Sequence, residues 1–375
     1  MIYLDSAATT LQKPGQVSRA VLHAMNHAAS PGRGSHAAAQ RAADIVYDCR
    51  EAAARLFGVP DPEQVVFTMN ATHAINLAIH ALVHPGDTVA ISGYEHNAVT
   101  RPLYAIDGVT VRIARAPVFQ PAAMLEEMEW LIRQGARAVV CTHVSNVFGY
   151  ILPVDEIAQM CRRKEVALIV DASQSAGCVD VDMNRWGAAF VAMPGHKGLY
   201  GPQGTGMLLC NAPVRPLLFG GTGSRSLEQT MPEFLPDRLE AGTHNTTGIA
   251  GLLAGLRFVS RLGVERIGTH ERRLIRMMAW DLEQIPGIEV FSAPETEDCQ
   301  SGVLSLQVPG KDQEQIGYRL AQMGIAVRTG LHCAPLAHRT VGTLPGGTIR
   351  ASVSAFSAPE HVRCFCRAMR TIARG

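Results

Sequence analysis

Residues 166–198 read VALIVDASQSAGCVDVDMNRWGAAFVAMPGHKG. Two apolar runs stand in this stretch, Val166–Val170 and Ala188–Met193, and each ends on polar chemistry. Asp171, Ser173 and Gln174 follow the first run; Gly195-His196-Lys197-Gly198 follows the second. A run that is apolar at every position, with no alternation, is a strand buried on both faces. The same pattern recurs outward in both directions. Val65–Met69, Thr88–Ser92, Ala136–Thr142 and Gly206–Cys210 read as strands, and 40–57, Thr72–Leu82 and Val154–Glu165 as helices. Strands alternating with helices from about residue 40 to 210 predict an α/β fold with a mostly parallel sheet covered on both faces.

Beyond Gly242 the pattern changes. Thr247–Leu262 and Val264–Gln284 read as long helices. Strands are expected at Gly287–Phe291, Val303–Val308, Ile325–Arg328 and Thr348–Ser352, with a helix before the third and a closing helix at Pro359–Ile372. The expected division is an N-terminal segment 1–15 near the active site, a large α/β unit 16–254 and a smaller α+β unit 255–375.

At 375 residues the chain is long enough for two packed units. Apolar residues make up 47% and charged residues 18%, which excludes a disordered chain. Lys plus Arg is 34 against 33 for Asp plus Glu, without the basic excess of a nucleic-acid binder. The nine cysteines are odd in number and irregularly spaced, and Cys364 and Cys366 are too close for a zinc knuckle, so no metal site is expected. The cysteines read as reduced and mostly buried. With no signal-peptide pattern at the start and no apolar stretch of spanning length, the expectation is a cytoplasmic protein with no membrane partner.

In open α/β sheets chemistry collects at the carboxyl ends of the strands. Asn70-Ala71-Thr72-His73 offers an anion site at a helix N-terminus, and equally reads as an ordinary N-cap. Asp171 closes a buried strand, either pairing with a cation or heterocycle or capping the next helix. Lys197, in a glycine-rich turn, is a candidate nucleophile with a lowered pKa; a solvated surface lysine is its plain alternative. The turn lacks the spacing of a nucleotide-triphosphate loop. Cys333, in Arg328-Thr329-Gly330-Leu331-His332-Cys333-Ala334, has Arg328 and His332 as neighbours able to stabilise a thiolate; otherwise it is one more structural cysteine. His96 follows the strand Thr88–Ser92 and is either catalytic or structural.

The order of these residues, with the segments YLDSAATT (3–10), DASQS (171–175), GHKGLYGPQGTG (195–206), EAGTHNT (240–246) and RTGLHCA (328–334), resembles one family across nearly the whole chain. It is the pyridoxal 5'-phosphate (PLP) enzymes of the class V aminotransferase superfamily, in the cysteine desulfurase and selenocysteine lyase branch. The resemblance implies the type I fold of PLP-dependent transferases. It implies that Lys197 holds the cofactor as a Schiff base and that Asp171 pairs with its pyridine nitrogen. His96 would stack on the ring, Gln174 would bond the ring hydroxyl, and Asn146 would lie beside cofactor and substrate. Ala71, Thr72 and His196 would form the phosphate site, with Thr243 reaching the phosphate of a neighbouring subunit in a homodimer with shared sites. Arg350 would clamp the substrate carboxylate, with Arg328 and Ala8 also at the substrate. Cys333 would take sulfur from L-cysteine as a persulfide, releasing L-alanine and passing the sulfur to an acceptor protein. L-selenocysteine cleavage, or another class V reaction on a small amino acid, is the alternative. The sequence departs from the family at Pro194, where a hydroxyl residue is common, at Ala71-Thr72, often two hydroxyls, and at Leu331, commonly polar.

Overall fold

The computed structural model describes residues 1–32 and 34–374; Arg33 and Gly375, inside the expected 16–254 and 255–375 units, lie outside the described residues. In chain order the elements are β1 (Ile2–Tyr3), α1 (Gly15–His27), α2 (Ala37–Leu56), β2 (Val65–Thr68), α3 (Ala71–Leu82), β3 (Thr88–Ser92), α4 (Asn97–Tyr104) and β4 (Thr110–Ala114). Next come α5 (Pro121–Arg133), β5 (Ala138–Thr142), α6 (Val154–Arg163), β6 (Ala167–Asp171), α7 (Met183–Trp186), β7 (Phe190–Pro194), β8 (Gly206–Cys210), α8 (Thr246–Leu262) and α9 (Val264–Glu283). The chain closes with β9 (Glu289–Phe291), β10 (Val303–Gln307), α10 (Gln313–Gln322), β11 (Ile325–Ala326), β12 (Arg328–Gly330), α11 (Pro335–Val341), β13 (Thr348–Ser352) and α12 (Pro359–Arg374).

The large sheet has the order β2-β8-β7-β6-β5-β3-β4. β7, β6, β5, β3 and β4 run parallel, and β8 is antiparallel to both β2 and β7. Side chains alternate between two cores. Val139, Cys141, Leu168, Val170, Val191 and Met193 face one, with α2, α5, α6 and α8. Ala138, Val140, Ile169, Phe190 and Ala192 face the other, with α3 and α4. Both faces are apolar, so the strands read as continuous runs rather than as alternations. This is the expected α/β architecture with a mostly parallel sheet.

A four-stranded antiparallel sheet, β12-β13-β10-β9, packs against α9 and α12. The position 254/255, expected as a unit boundary, falls inside α8, which lies along α1 and α2. The chain changes direction at Gly263, where α8 and α9 meet at 80°. Gly263 has φ +91°, a conformation open to glycine at little cost. Among the described residues no single helix is long and apolar enough to cross a membrane.

The expected strand Ile325–Arg328 is divided. Ile325 and Ala326 pair in parallel with Ile2 and Tyr3, while Arg328–Gly330 pair with Thr348–Arg350. The N-terminal chain captures the first half, and the sheet captures the second. Through this pairing, residues 1–10 are tied to the smaller sheet and reach across to the larger one.

Candidate active site

The parallel register brings the carboxyl ends of β5, β6 and β7 together. Thr142 is level with Asp171, and Asp171 with Ala192. A cavity of about 100 Å³ opens at these ends. Ala71, Thr72, His96, Asn146, Asp171, Gln174, His196 and Lys197, all singled out from the sequence, line it together. Asn70 caps α3 through its Oδ1, which accepts from the His73 N–H at 2.9 Å. Its cap role and the opening of α3 onto the cavity coexist. Gly206 lets this turn lie against β8, since a Cβ there would press on the Asn70 backbone at 2.7 Å. Pro194 also lines the cavity, and it brings neither a hydroxyl nor an N–H.

Burial governs the titratable groups here. Lys197 is half-buried, and loss of solvent lowers its pKa to about 8, against the pull of the Asp171 charge, which raises it. Asp171 is 3% exposed, and its Oδ1 accepts from the Ser173 N–H at 2.9 Å. His96 is lowered to about 4, first by burial and then by Lys197, Arg328 and Arg101, with Asp171 opposing. Its Nδ1 accepts from the Ala98 N–H at 3.0 Å and so carries no proton. His196 is also lowered to about 4 by burial and by the charges of Lys197 and Lys13. At neutral pH the cavity thus presents two neutral imidazoles and an amine close to its titration point, beside the buried Asp171 side chain.

Three supporting residues escaped the sequence reading. Glu95 is fully buried, and its carboxyl is pushed up to about 8 by desolvation. Its Oε1 accepts from Ser92 Oγ at 2.5 Å and from the Thr142 N–H at 2.7 Å, tying the His96 turn to the end of β5. Lys13 donates to Thr10 Oγ1 at 2.6 Å and to the His196 carbonyl at 3.0 Å, beside the peptide that carries Lys197. The Thr10 N–H and hydroxyl donate to the same carbonyl at 3.2 and 3.0 Å. Asp5 pairs with Arg350. The bonds from Glu95 to Thr142, Lys13 to His196 and Asp5 to Arg350 join residues distant in sequence, and only YLDSAATT, which holds Asp5 and Thr10, hinted that its segment mattered.

Arg350 is 2% exposed and does not line the cavity. Its Nη2 donates to Asp5 Oδ1 at 2.9 Å and its Nη1 to the Asn146 carbonyl at 2.8 Å, while its buried Nε has no partner among the described residues. Ala8 lies in the same segment, its N–H donating to the Asp5 carbonyl at 3.1 Å. Gln174 Nε2 donates to the Ala7 carbonyl at 2.9 Å, closing the segment onto β6. Arg328 is exposed on β12, opposite Arg350. Thr243 is exposed as well, away from the cavity of its own chain, on a groove of about 660 Å³ with Tyr47 and Arg50.

Cys333 also lies outside the cavity lining, but its turn is fastened to it. The Asn97 N–H donates to the Cys333 carbonyl at 2.8 Å, and Asn146 Nδ2 to the His332 carbonyl at 2.8 Å. Asn97 adjoins His96, so both bonds reach the turn from the cavity wall. His332 and Cys333 take φ of 50° and 56°, a left-handed pair that turns the Cys333 side chain outward. Among the described residues no cysteine forms a disulfide, and of the nine only Cys333 is exposed. The expected role of His332 as a cation for the thiolate does not hold. His332 is 4% exposed, and its Nε2 lies 3.1 Å from Thr348 Oγ1. Burial and the charge of Arg350 hold it neutral, far below its ordinary pKa. The turn folds the imidazole inward as it sends the thiol outward, which leaves Arg328 as the nearby cation.

The profile of the family described as aminotransferase class-V matches residues 2–365. A probable cysteine desulfurase from Mycolicibacterium paratuberculosis is 35% identical over all of this chain, which spans 56% of that protein's length. A probable cysteine desulfurase from Methanothermobacter thermautotrophicus is 32% identical, with 99% of this chain and 94% of that protein aligned. Among solved structures, the apo cysteine desulfurase of Thermococcus onnurineus superposes with a TM-score of 0.92 at 30% identity, covering 100% of this chain and 95% of that one. The cysteine desulfurase CsdA (S-sulfonic acid) of Escherichia coli gives 0.88 at 27% identity, covering 100% and 94%.

Proposed function

From the membership of this chain in the class V aminotransferase family, in its cysteine desulfurase branch, we propose that it is a PLP-dependent enzyme converting L-cysteine to L-alanine, with the sulfur left as a persulfide on Cys333. One observation carries the reading. The eight cavity residues converge on a single site, and an exposed cysteine is fastened to its wall through Asn97 and Asn146.

The donor set fits pyridoxal 5'-phosphate. Asp171 is a buried carboxylate suited to a pyridinium nitrogen, and neutral His96 offers a flat ring face. The first turn of α3, with Ala71 and Thr72, offers N–H groups to a dianion. Pro194 adds nothing there, so His196 and the backbone bear more of the phosphate binding, together with Thr243 of a second subunit. When bound, the cofactor supplies an electron sink for loss of the substrate α-proton.

The rest of the reaction falls to this chain's side chains. Lys197 would hold the cofactor's aldehyde and, with a pKa of about 8, is suited both to take and to return a proton near neutral pH. Arg350 binds the substrate carboxylate through its planar fork, for which Nη2 turns from Asp5 and the unpartnered Nε gains an acceptor. Cys333 as thiolate attacks the substrate sulfur. The new S–S bond forms as the carbon–sulfur bond breaks, and the carbon fragment takes a proton and leaves as alanine. Exposed Leu22, Met25, Tyr47 and Phe219 support a homodimer that shares its sites through Thr243, and nine unpaired cysteines fit a reducing, cytoplasmic setting. The division into units is best drawn at Gly263.

The test is product analysis. L-cysteine supplied to the loaded protein with a thiol reductant is expected to yield alanine and sulfide in equal amounts. 3-Mercaptopyruvate, the keto acid that keeps the sulfur, in place of alanine overturns the reading in favour of transamination, and pyruvate with ammonia overturns it in favour of β-elimination.

The titration of Lys197 gives a second expectation. Only the neutral amine captures an aldehyde, so uptake of PLP by the stripped protein should rise about tenfold per pH unit and level off above pH 8. Asp171→Asn removes the charge that holds the Lys197 pKa up, so the plateau should begin at lower pH. Stopped-flow absorbance reads both; a midpoint near 10, unmoved by Asp171→Asn, contradicts the assignment.

A further inference from the structure

Beside the Cys333 turn lies an open groove of about 400 Å³, with Arg101, Tyr104 and Ile113 on one side and Pro335, Leu336 and Arg339 on the other. Its walls are α4, which begins one residue after His96, and α11, which begins two residues after Cys333. The bond from the Asn97 N–H to the Cys333 carbonyl is the seam between them. The groove therefore adjoins the turn that bears the exposed thiol. Arg101 and Arg339 are exposed, and among the described residues neither forms an ion pair. Among the described residues no carboxylate lines the groove. Arg328, also exposed and without an ion pair among the described residues, adds a third cation on the cysteine side. Both Arg101 and Arg328 disfavour a proton on His96, so their charges reach the same space. Tyr104 is 67% exposed and offers an aromatic face next to the two guanidinium groups.

Resting on the desulfurase reading, we propose that this groove is the docking surface of a sulfur-accepting protein that presents a cysteine flanked by acidic residues. A persulfide on Cys333 is released when the acceptor thiolate attacks its outer sulfur. A new S–S bond forms on the acceptor, the bond to the Cys333 sulfur breaks, and its electron pair remains as the Cys333 thiolate. The sulfur moves at constant oxidation level, so no oxidant or reductant is consumed. The step needs the acceptor thiol held at Cys333, and two uncompensated cations within one groove select a negatively charged segment to do so. The apolar floor of Ile113, Pro335 and Leu336 suits a short hydrophobic anchor in the same segment.

The experiment uses the loaded enzyme and two synthetic peptides of equal length. Each has one cysteine, flanked by glutamates in one and by lysines in the other. Cys333 is first charged with radiolabelled sulfur from L-cysteine, and transfer to each peptide is then timed. The glutamate peptide is expected to accept sulfur about tenfold faster at low salt, with the gap closing as salt screens the charges. Arg101→Ala with Arg339→Ala should abolish the preference, and Arg101→Glu with Arg339→Glu should invert it. Alanine release driven by a small dithiol should be unchanged in both. Equal rates for the two peptides in the wild type, or a preference untouched by charge reversal, overturn the proposal. A change in oligomeric state on charge reversal also overturns it, since the groove would then be a contact between copies. Failure to label Cys333 at all removes the desulfurase reading, and this surface with it.

Discussion

Alanine at position 197 is expected to lower alanine production from L-cysteine by at least about 10⁴-fold, at the upper end of what a positioned acid–base group contributes. Lys197 is asked to do two things, to hold an aldehyde and to carry a proton. Both depend on an amine that burial has lowered to about 8. Lys197→Arg separates these roles from mere charge. A guanidinium keeps the positive charge opposite Asp171 but does not deprotonate in a protein, so this variant should be as inactive as the alanine one. Both should lose the absorbance of the covalently held cofactor after borohydride treatment, and both should keep the far-ultraviolet circular dichroism of the wild type. Retention of a tenth of wild-type turnover in either variant would remove Lys197 from the centre of the mechanism.

Cys333→Ala carries the second large effect, a loss of about 10³-fold or more in sulfide and alanine from L-cysteine, the scale seen when a nucleophile is removed. The side chain is exposed, so its removal leaves no cavity in a core. Its left-handed φ of 56° costs alanine about what it costs cysteine. The loss should therefore appear in turnover alone, with cofactor content and unfolding temperature unchanged. Cys333→Ser should behave alike, since a hydroxyl does not take up sulfur to form a persulfide. The parallel measurement with L-selenocysteine separates the two lyase readings, because the weaker carbon–selenium bond breaks with less help from a thiolate. A variant that loses cysteine activity and keeps selenocysteine activity assigns Cys333 to sulfur acceptance. Normal turnover of cysteine by Cys333→Ala would sink that role.

Both predictions concern residues that were legible before any tertiary contact was known. Lys197 and Asp171 end strands whose side chains are buried on both faces, and such strands announce themselves as unbroken apolar runs. β8 and β13 lie where those runs predict them, at Gly206–Cys210 and Thr348–Ser352. The strand expected at Ile325–Arg328 reads correctly as extended chain but not as two strands. Nothing local says that Ile2 and Tyr3 will pair with half of it. The pattern changes beyond Gly242 and 254/255 lies within α8, whereas the bend at Gly263 shows only in the packed helices, where α8 and α9 meet at 80°.

Local pattern thus determined the sheet, its helical covering and the strand ends on which Lys197, Asp171 and His96 stand, because burial and periodicity act over a few residues at a time. It also located the turn that bears Cys333. What only the tertiary structure decided is the state of these groups. Arg350 meets Asp5 across 345 positions, Lys13 meets the His196 carbonyl across 183, and His332 turns inward onto Thr348 and loses its charge. Solvent exclusion and long-range pairing set protonation and orientation, and both are properties of the folded neighbourhood rather than of any segment.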